Sequence, residues 1–333
     1  MANYFVGIDV SKSTLDIAVV KDGILVHETK IANQVKSVCS LITELQETGI
    51  LLEETIVCME HTGIYNAISL EVFFRKGVKV CLEPALQIKQ SLGMVRGKND
   101  RIDAKRIALY AYKNKKELRL WRPLRSVIQQ LQGLLTLRDR LIKAKVQLEV
   151  PLRESVGFLD PSIVKNLNAV TRASLKGIAQ GLKMLEQKLK LLIDKDVAVK
   201  EQFRQATSVP GVGKVIAMNM IVITGEFQRI KQPKKFACHI GVAPFEYSSG
   251  SSIHGKTRVS KMANMTMKKL FHLGAMSAIQ SSEEIRAFYN RKVAEGKNRM
   301  SVLNAVRNKL ISRVYACVKN QRLYQKDYNH ILA

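Results

Sequence analysis

The chain has 333 residues, 46% of them hydrophobic, enough to build real cores; wholesale disorder is excluded and two or three domains are expected. Lys and Arg number 54 against 28 Asp and Glu, a formal net charge of +26 that demands a polyanionic partner. Five scattered cysteines without a Cys-x-x-Cys pair exclude a disulfide scaffold and a zinc ribbon.

The opening residues 3–9 (NYFVGID), 14–21 (TLDIAVVK) and 24–31 (ILVHETKI) read as three strands, the last two joined by an Asp22-Gly23 turn. A helical pattern follows at 35–48. TIVCME (55–60) is a short apolar run suited to a buried strand, 64–76 is helical, and VKVCLE (78–83) is another buried strand before Pro84. In 101–113, Ile102, Ala104, Ile107, Ala108 and Ala111 keep helical spacing. Strands in hairpins followed by alternating helix and strand predict an α/β mixed-sheet layer fold.

Strand signals vanish over 124–200. Leu175, Ile178, Leu182, Leu185, Leu189 and Leu192 recur at alternating spacings of three and four, a coiled-coil seam. Residues 127–149 form a weaker pattern of the same kind, with Pro151, Gly157 and Pro161 interrupting between the two. The expectation is an antiparallel helical hairpin or a dimerising arm, with an ordinary bundle core as the alternative. Residues 201–333 open with Val209-Pro210-Gly211-Val212-Gly213-Lys214, continue as a helix at 214–224, pass a Gly/Ser-rich stretch at 241–255, and close with long basic helical patterns. The domains expected are therefore 1–115 (α/β), 116–200 (helical arm) and 201–333 (mainly all-α).

Charge divides the chain. Residues 1–100 carry 10 basic and 12 acidic side chains; 101–333 carry 44 and 16. Basic residues are densest over 227–270, including Lys256, Arg258, Lys261, Lys268 and Lys269, and over 286–326, with aromatic residues interleaved. Phosphate-backbone binding follows directly. No base-reading helix-turn-helix or zinc-finger signature is present. No apolar run reaches the roughly 18 residues that span a bilayer, and no signal-peptide pattern opens the chain, so a cytoplasmic, nucleoid-associated protein without membrane contact is expected.

Asp9 and Glu60 stand at the ends of the first and fourth strands, where sites form in α/β sheets. Asp100 and Asp103 share one face at the start of a helix. Four converging carboxylates repel one another; two divalent cations about 4 Å apart relieve the repulsion and activate phosphoester chemistry, and hard oxygen donors favour Mg2+ or Mn2+. Three of the four also have a structural reading, a helix N-cap for Asp100, a first-turn acid for Asp103 and a turn residue for Asp9, whereas Glu60 follows an apolar strand, where an unpaired carboxylate is costly. Gly211 and Gly213, before Lys214, form a glycine turn that can offer backbone amides to a phosphate, or a bare turn. The six histidines make no metal-ligand spacing.

The ordered set GIDVSK, MEHTG and GKNDRIDAKRIA resembles the RuvC-like (ribonuclease-H-like) domain of DEDD insertion-sequence transposases of the IS one-ten family, relatives of the Piv DNA invertases. PGVGKVIA (210–217), and Gly241-Val242-Ala243-Pro244 before Ser249-Gly250, are similar to that family's C-terminal domain. The resemblance covers almost the whole chain. It implies metal ligation by Asp9, Glu60, Asp100 and Asp103, and Ser249, with Ser248 as the alternative register, as the nucleophile that attacks DNA phosphate; the Pro210-Gly211-Val212-Gly213 turn separately resembles a helix-hairpin-helix element. It further implies donor and target DNA, a structured noncoding guide RNA, and a dimer or tetramer. One departure stands out: the family's Gly-Asn and Leu-Arg after the serine loop are here Ala263-Asn264 and Lys268-Lys269.

Overall fold

The computed structural model describes residues 2–91, 99–249, 253–259 and 262–326, with the backbone alone for 246–249, 253–254 and 256–258. It divides into two compact units, Met1–Pro123 and Leu124–Ala333.

In the first unit β1 (Tyr4–Val10), β2 (Thr14–Lys21) and β3 (Ile24–Ala32) form an antiparallel meander. β4 (Thr55–Glu60) and β5 (Lys79–Glu83) add in parallel beside β1, giving the order β3-β2-β1-β4-β5. This is the expected mixed sheet of an α/β layer fold. Alternation along the strands serves two cores. Val6, Ile8, Leu15, Ile17, Val57, Met59 and Val80 pack under α1 (Val35–Glu47) and α2 (Ala67–Arg75). Phe5, Cys58 and Cys81 face the other way, against α3 (Ala85–Ser91) and α4 (Asp100–Lys113). The short α3 is absent from the sequence reading. The stretch after α4 returns to the sheet edge, where Trp121 N–H donates to the Val80 carbonyl at 2.7 Å.

α4 lies on β1 with almost no space between. A Cβ on Gly7 would stand 2.2 Å from the Ala104 carbonyl oxygen and 2.3 Å from the Ala108 nitrogen. Only glycine permits that approach.

The second unit begins with α5 (Ser126–Ser155) and α6 (Pro161–Lys195), joined by five residues and therefore antiparallel. Asp160 caps α6, its carboxylate accepting from Ser162 N–H at 2.8 Å, and Pro161 takes the first helical position. α5 runs through Pro151, where the sequence suggests a break. The proline removes only the bond to the Gln147 carbonyl, and the helix ends one turn later. The seam of α6 faces inward: Leu185 and Leu189 are buried, Leu175, Ile178, Leu182 and Leu192 half-buried. The roots of both helices share one core with α7 (Val197–Thr207), α8 (Lys214–Thr224), α9 (Pro233–His239), α10 (Met265–Ser281), α11 (Glu283–Ala294) and α12 (Arg299–Lys319). Between α9 and α10, β6 (Pro244–Ser249) and β7 (Ile253–Val259) pair as an antiparallel hairpin over the Gly/Ser-rich stretch. No helix among the described residues is long and apolar enough to cross a membrane.

Candidate active site

Strand register assembles the site. Lys30 on β3 pairs with Asp16 on β2, and Asp16 with Asp9 on β1. The register that pairs Ile8 with Met59 sets Asp9 beside Glu60, and Glu60 pairs with Glu83 on β5. One charged row thus crosses all five strands. Register partners share a face, and Gly7, two residues before Asp9, faces α4. The row therefore lies on the α4 side, at the C-terminal ends of β1, β4 and β5.

Asn99 caps α4, its side chain accepting from Arg101 N–H at 3.1 Å. Asp100 and Asp103 are first-turn residues, so the N-cap reading of Asp100 is corrected. An acid in the first turn is favoured by the helix dipole. Arg101 Nε meets Glu28 of β3 at 3.1 Å and fixes this end of α4 over the sheet.

The electrostatics converge on Asp9. Burial, then the charges of Asp100, Asp103, Glu60 and Asp16, push its carboxyl up to about 6. Asp16 is buried, and Lys30 Nζ neutralises it at 3.0 Å. Burial also raises the Glu83 carboxyl, against the opposing charge of Arg119 and a hydrogen bond from Tyr110. The Tyr110 hydroxyl in turn accepts from Gln87 Nε2 at 2.8 Å. The other three sequence-predicted carboxylates therefore all act on Asp9, but Asp103 accepts from Arg106 Nη1 at 2.7 Å. Among the described residues, no three His, Cys, Asp or Glu side chains stand close enough to share one ion. The donor set is carboxylate oxygen throughout, which suits a hard divalent cation, and the repulsion that lifts Asp9 is what such a cation relieves.

Two buried asparagines hold the loops beyond Asp9 and Glu60, and sequence reading missed both. Asn66 donates to the Glu60 carbonyl at 2.9 Å and accepts from Thr62 N–H at 2.7 Å and Thr62 Oγ1 at 3.0 Å. Asn33 Nδ2 donates to the Ser11 carbonyl at 2.9 Å and the Tyr65 carbonyl at 3.1 Å, joining the two loops. Asp16, Lys30 and Glu83 were also missed. Their signal is the strand register, which no local motif carries.

In the second unit, Ser249 ends β6, its backbone paired with Ile253. Its side chain lies outside the described residues, as do those of Ser248, Lys256 and Arg258 and the whole of Lys261. Lys268 is half-buried and Lys269 exposed on α10, which Asn264 caps by accepting from Met267 N–H at 3.0 Å. Gly211 adopts φ of +83°, and a Cβ there would meet the Gly274 carbonyl oxygen of α10 at 2.3 Å. Backbone packing thus accounts for Gly211. Gly213 and Lys214 are exposed at the start of α8.

The transposase model DEDD_Tnp_IS110 matches residues 6–159, and the model described as "Transposase IS116/IS110/IS902 family" matches 204–290. The "Pilin gene-inverting protein" of Moraxella lacunata is 23% identical over 98% of this chain and 99% of its own length. The "Insertion element IS116 uncharacterized 44.8 kDa protein" of Streptomyces clavuligerus is 22% identical over 96% of each chain. The "Transposase for insertion sequence element IS1111A" of Coxiella burnetii is 25% identical over 68% of each. Among solved structures, T. thermophilus RuvC in complex with a Holliday junction substrate aligns with 35% of this chain and 99% of its own, at 17% identity and a TM-score of 0.29. The two transposase models, over 6–159 and 204–290, place the chain in the IS110 family of insertion-sequence transposases, DNA recombination enzymes with a DEDD nuclease-like domain of a class that works with divalent metals.

Proposed function

We propose that this transposase cuts and rejoins DNA strands with Asp9, Glu60, Asp100 and Asp103 as holders of divalent metal, two Mg2+ or Mn2+ ions per site, and Ser249 as nucleophile. The observation that carries the metal role is the lifting of Asp9 by burial and by the charges of Asp100, Asp103, Glu60 and Asp16. Bound there, such ions supply charge stabilisation and a more acidic hydroxyl at neutral pH. The protein's own part is to hold the carboxylates in place: strand register for Asp9 and Glu60, the Asn99 cap and Gly7 packing for Asp100 and Asp103. To hold a metal, Asp103 would have to give up or share its bond to Arg106 Nη1.

In the serine step, the hydroxyl oxygen bonds to phosphorus and one deoxyribose oxygen leaves, taking up a proton. One phosphoester replaces another, so rejoining needs no nucleotide hydrolysis. The basic second unit tracks the DNA backbone. A structured noncoding RNA supplies the sequence information that no base-reading module provides, and a dimer or tetramer brings several sites to two duplexes.

A plasmid recombination assay tests the chemistry. Ser249→Ala and Asp9→Asn are each expected to abolish joined product, and wild type to leave DNA covalently attached to serine. Full recombination by Ser249→Ala overturns the serine step and leaves a metal-dependent nuclease acting like a junction resolvase. Activity in both Asp9→Asn and Asp103→Asn overturns the metal site.

A second reading, a protein-only site-specific DNA invertase, is favoured by the full-length similarity to a pilin gene-inverting protein. Expressing the gene with its native flanking DNA and sequencing RNA retained at high salt separates the two. One discrete flank transcript supports RNA guidance; only bulk RNA supports the invertase.

A further inference from the structure

Arg307, on α12, is 6% exposed in the core of the second unit, and no carboxylate among the described residues pairs with it. Among the described residues its guanidinium bonds only to Asn304 Oδ1, from Nη1 at 3.3 Å, and to His272 Nδ1 on α10, from Nη2. Its Nε is buried without a hydrogen-bond partner. Burying a cation without a counter-ion is costly, so proteins rarely keep one unless a ligand supplies the missing charge.

The partners of Arg307 are themselves placed toward a surface. His272 and Asn304 are half-buried. Asn304 Nδ2 donates to the Val242 carbonyl at 2.7 Å, two residues before β6. Because Nδ1 of His272 accepts from the guanidinium, the ring proton sits on Nε2, which no described residue engages. Lys268 lies one turn earlier on the same face of α10 and has no acidic partner among the described residues. A guanidinium, an imidazole N–H and an ammonium thus stand together at the base of the β6–β7 hairpin, with no acidic partner among the described residues.

We infer that Arg307, His272 and Lys268 form a phosphodiester-binding site, in which a backbone phosphate of nucleic acid docks on His272 Nε2–H and the Lys268 ammonium with the Arg307 charge behind them. The inference rests on the reading that the second unit binds nucleic acid. It adds a fixed seat for one phosphate beside the hairpin that carries Ser249. Arg307 sets the tautomer and orientation of His272, and the bound phosphate is the counter-ion that no described residue supplies.

The test uses the full-length protein with fluorescein-labelled duplex DNA and, separately, single-stranded RNA, read by anisotropy over a salt series, with thermal melts alongside. Arg307→Met keeps the length of the side chain and removes the charge. It is expected to weaken binding about tenfold and to lower the salt slope by about one phosphate. Its melting temperature should hold or rise, because a buried unpaired charge has gone. His272→Ala and Lys268→Ala should weaken the same probe. An effect on DNA alone, RNA alone or both identifies whose phosphate is seated, and any of the three supports the site. Unchanged binding in Arg307→Met overturns it, as does a fall in melting temperature with binding intact, which marks a purely structural arginine. If Arg307→Met fails to fold, unchanged binding by the double variant His272→Ala/Lys268→Ala overturns it equally. Should wild type bind neither probe, the nucleic-acid reading itself fails, an outcome distinct from the others.

Discussion

At the scale of single residues, Asp9 makes the sharpest prediction. Its carboxyl is lifted from 3.8 to about 6 by burial and by its acidic neighbours. The folded protein therefore holds the proton more tightly than the unfolded chain does. Without metal, stability falls as pH rises from about 4 through about 6 and stays lower above. Asp9 is half-exposed, so solvent screening keeps the loss modest. Asp9→Asn removes the repulsion. In chelator, its melting point should exceed wild type's by a few degrees near pH 7.5 and match it near pH 4, while strand cleavage falls about a hundredfold or more. Equal melting points at the higher pH would mean that the neighbouring charges do not press on Asp9. Asn66 predicts the opposite signature. Asn66→Ala leaves the Glu60 carbonyl and the Thr62 amide unpaired in the interior, at a cost of about 1–3 kcal/mol. Stability and cleavage should fall together, and a stable but inactive variant would contradict the loop-holding role.

At the scale of elements, the decisive contact is α4 on β1. The helix carries Asp100 and Asp103, the strand carries Asp9, and Gly7 sets their separation. Gly7→Ala forces α4 outward, because the new methyl meets backbone rather than a flexible side chain. The expected cost is about 1–3 kcal/mol of stability, with cleavage lost even under conditions where the variant remains folded. Full activity in a folded Gly7→Ala would show that the helix need not sit so close. The sequence displayed much of this element pattern: the strands ending in Asp9 and Glu60, the helix beginning near Asp100, and the leucine seam of α6. It did not display the charged row. Asp16 lies mid-strand in TLDIAVVK and Glu83 ends VKVCLE, and only tertiary register brings Lys30, Asp16, Asp9, Glu60 and Glu83 into line. The β6–β7 hairpin was hidden for a different reason. Its glycines and serines weaken the alternation by which strands are recognised. The run of α5 through Pro151 shows the limit of a breaker signal, since one lost hydrogen bond near a helix end is easily outweighed by the remaining turns.

At the scale of the whole molecule, charge separates the two units. Residues 1–123 hold 18 Lys and Arg against 14 Asp and Glu, whereas residues 124–333 hold 36 against 14. Charge of one sign at that density carries a self-repulsion that a nucleic-acid partner offsets. Most of these side chains are exposed, so their contribution is a screened, counterion-releasing attraction to phosphates. If six or more phosphates are contacted, affinity for random duplex DNA should fall roughly a thousandfold or more between about 50 and 200 mM salt. An anisotropy titration over that range measures the slope directly, and a nearly flat slope would sink the electrostatic account of the second unit. The same titration bears on guidance. Phosphate contacts alone release every nucleic acid together as salt rises, because they carry no sequence information. A nucleic acid that stays bound after random duplex has been stripped must be held by its shape or its bases, and its sequence then names the partner that supplies target choice.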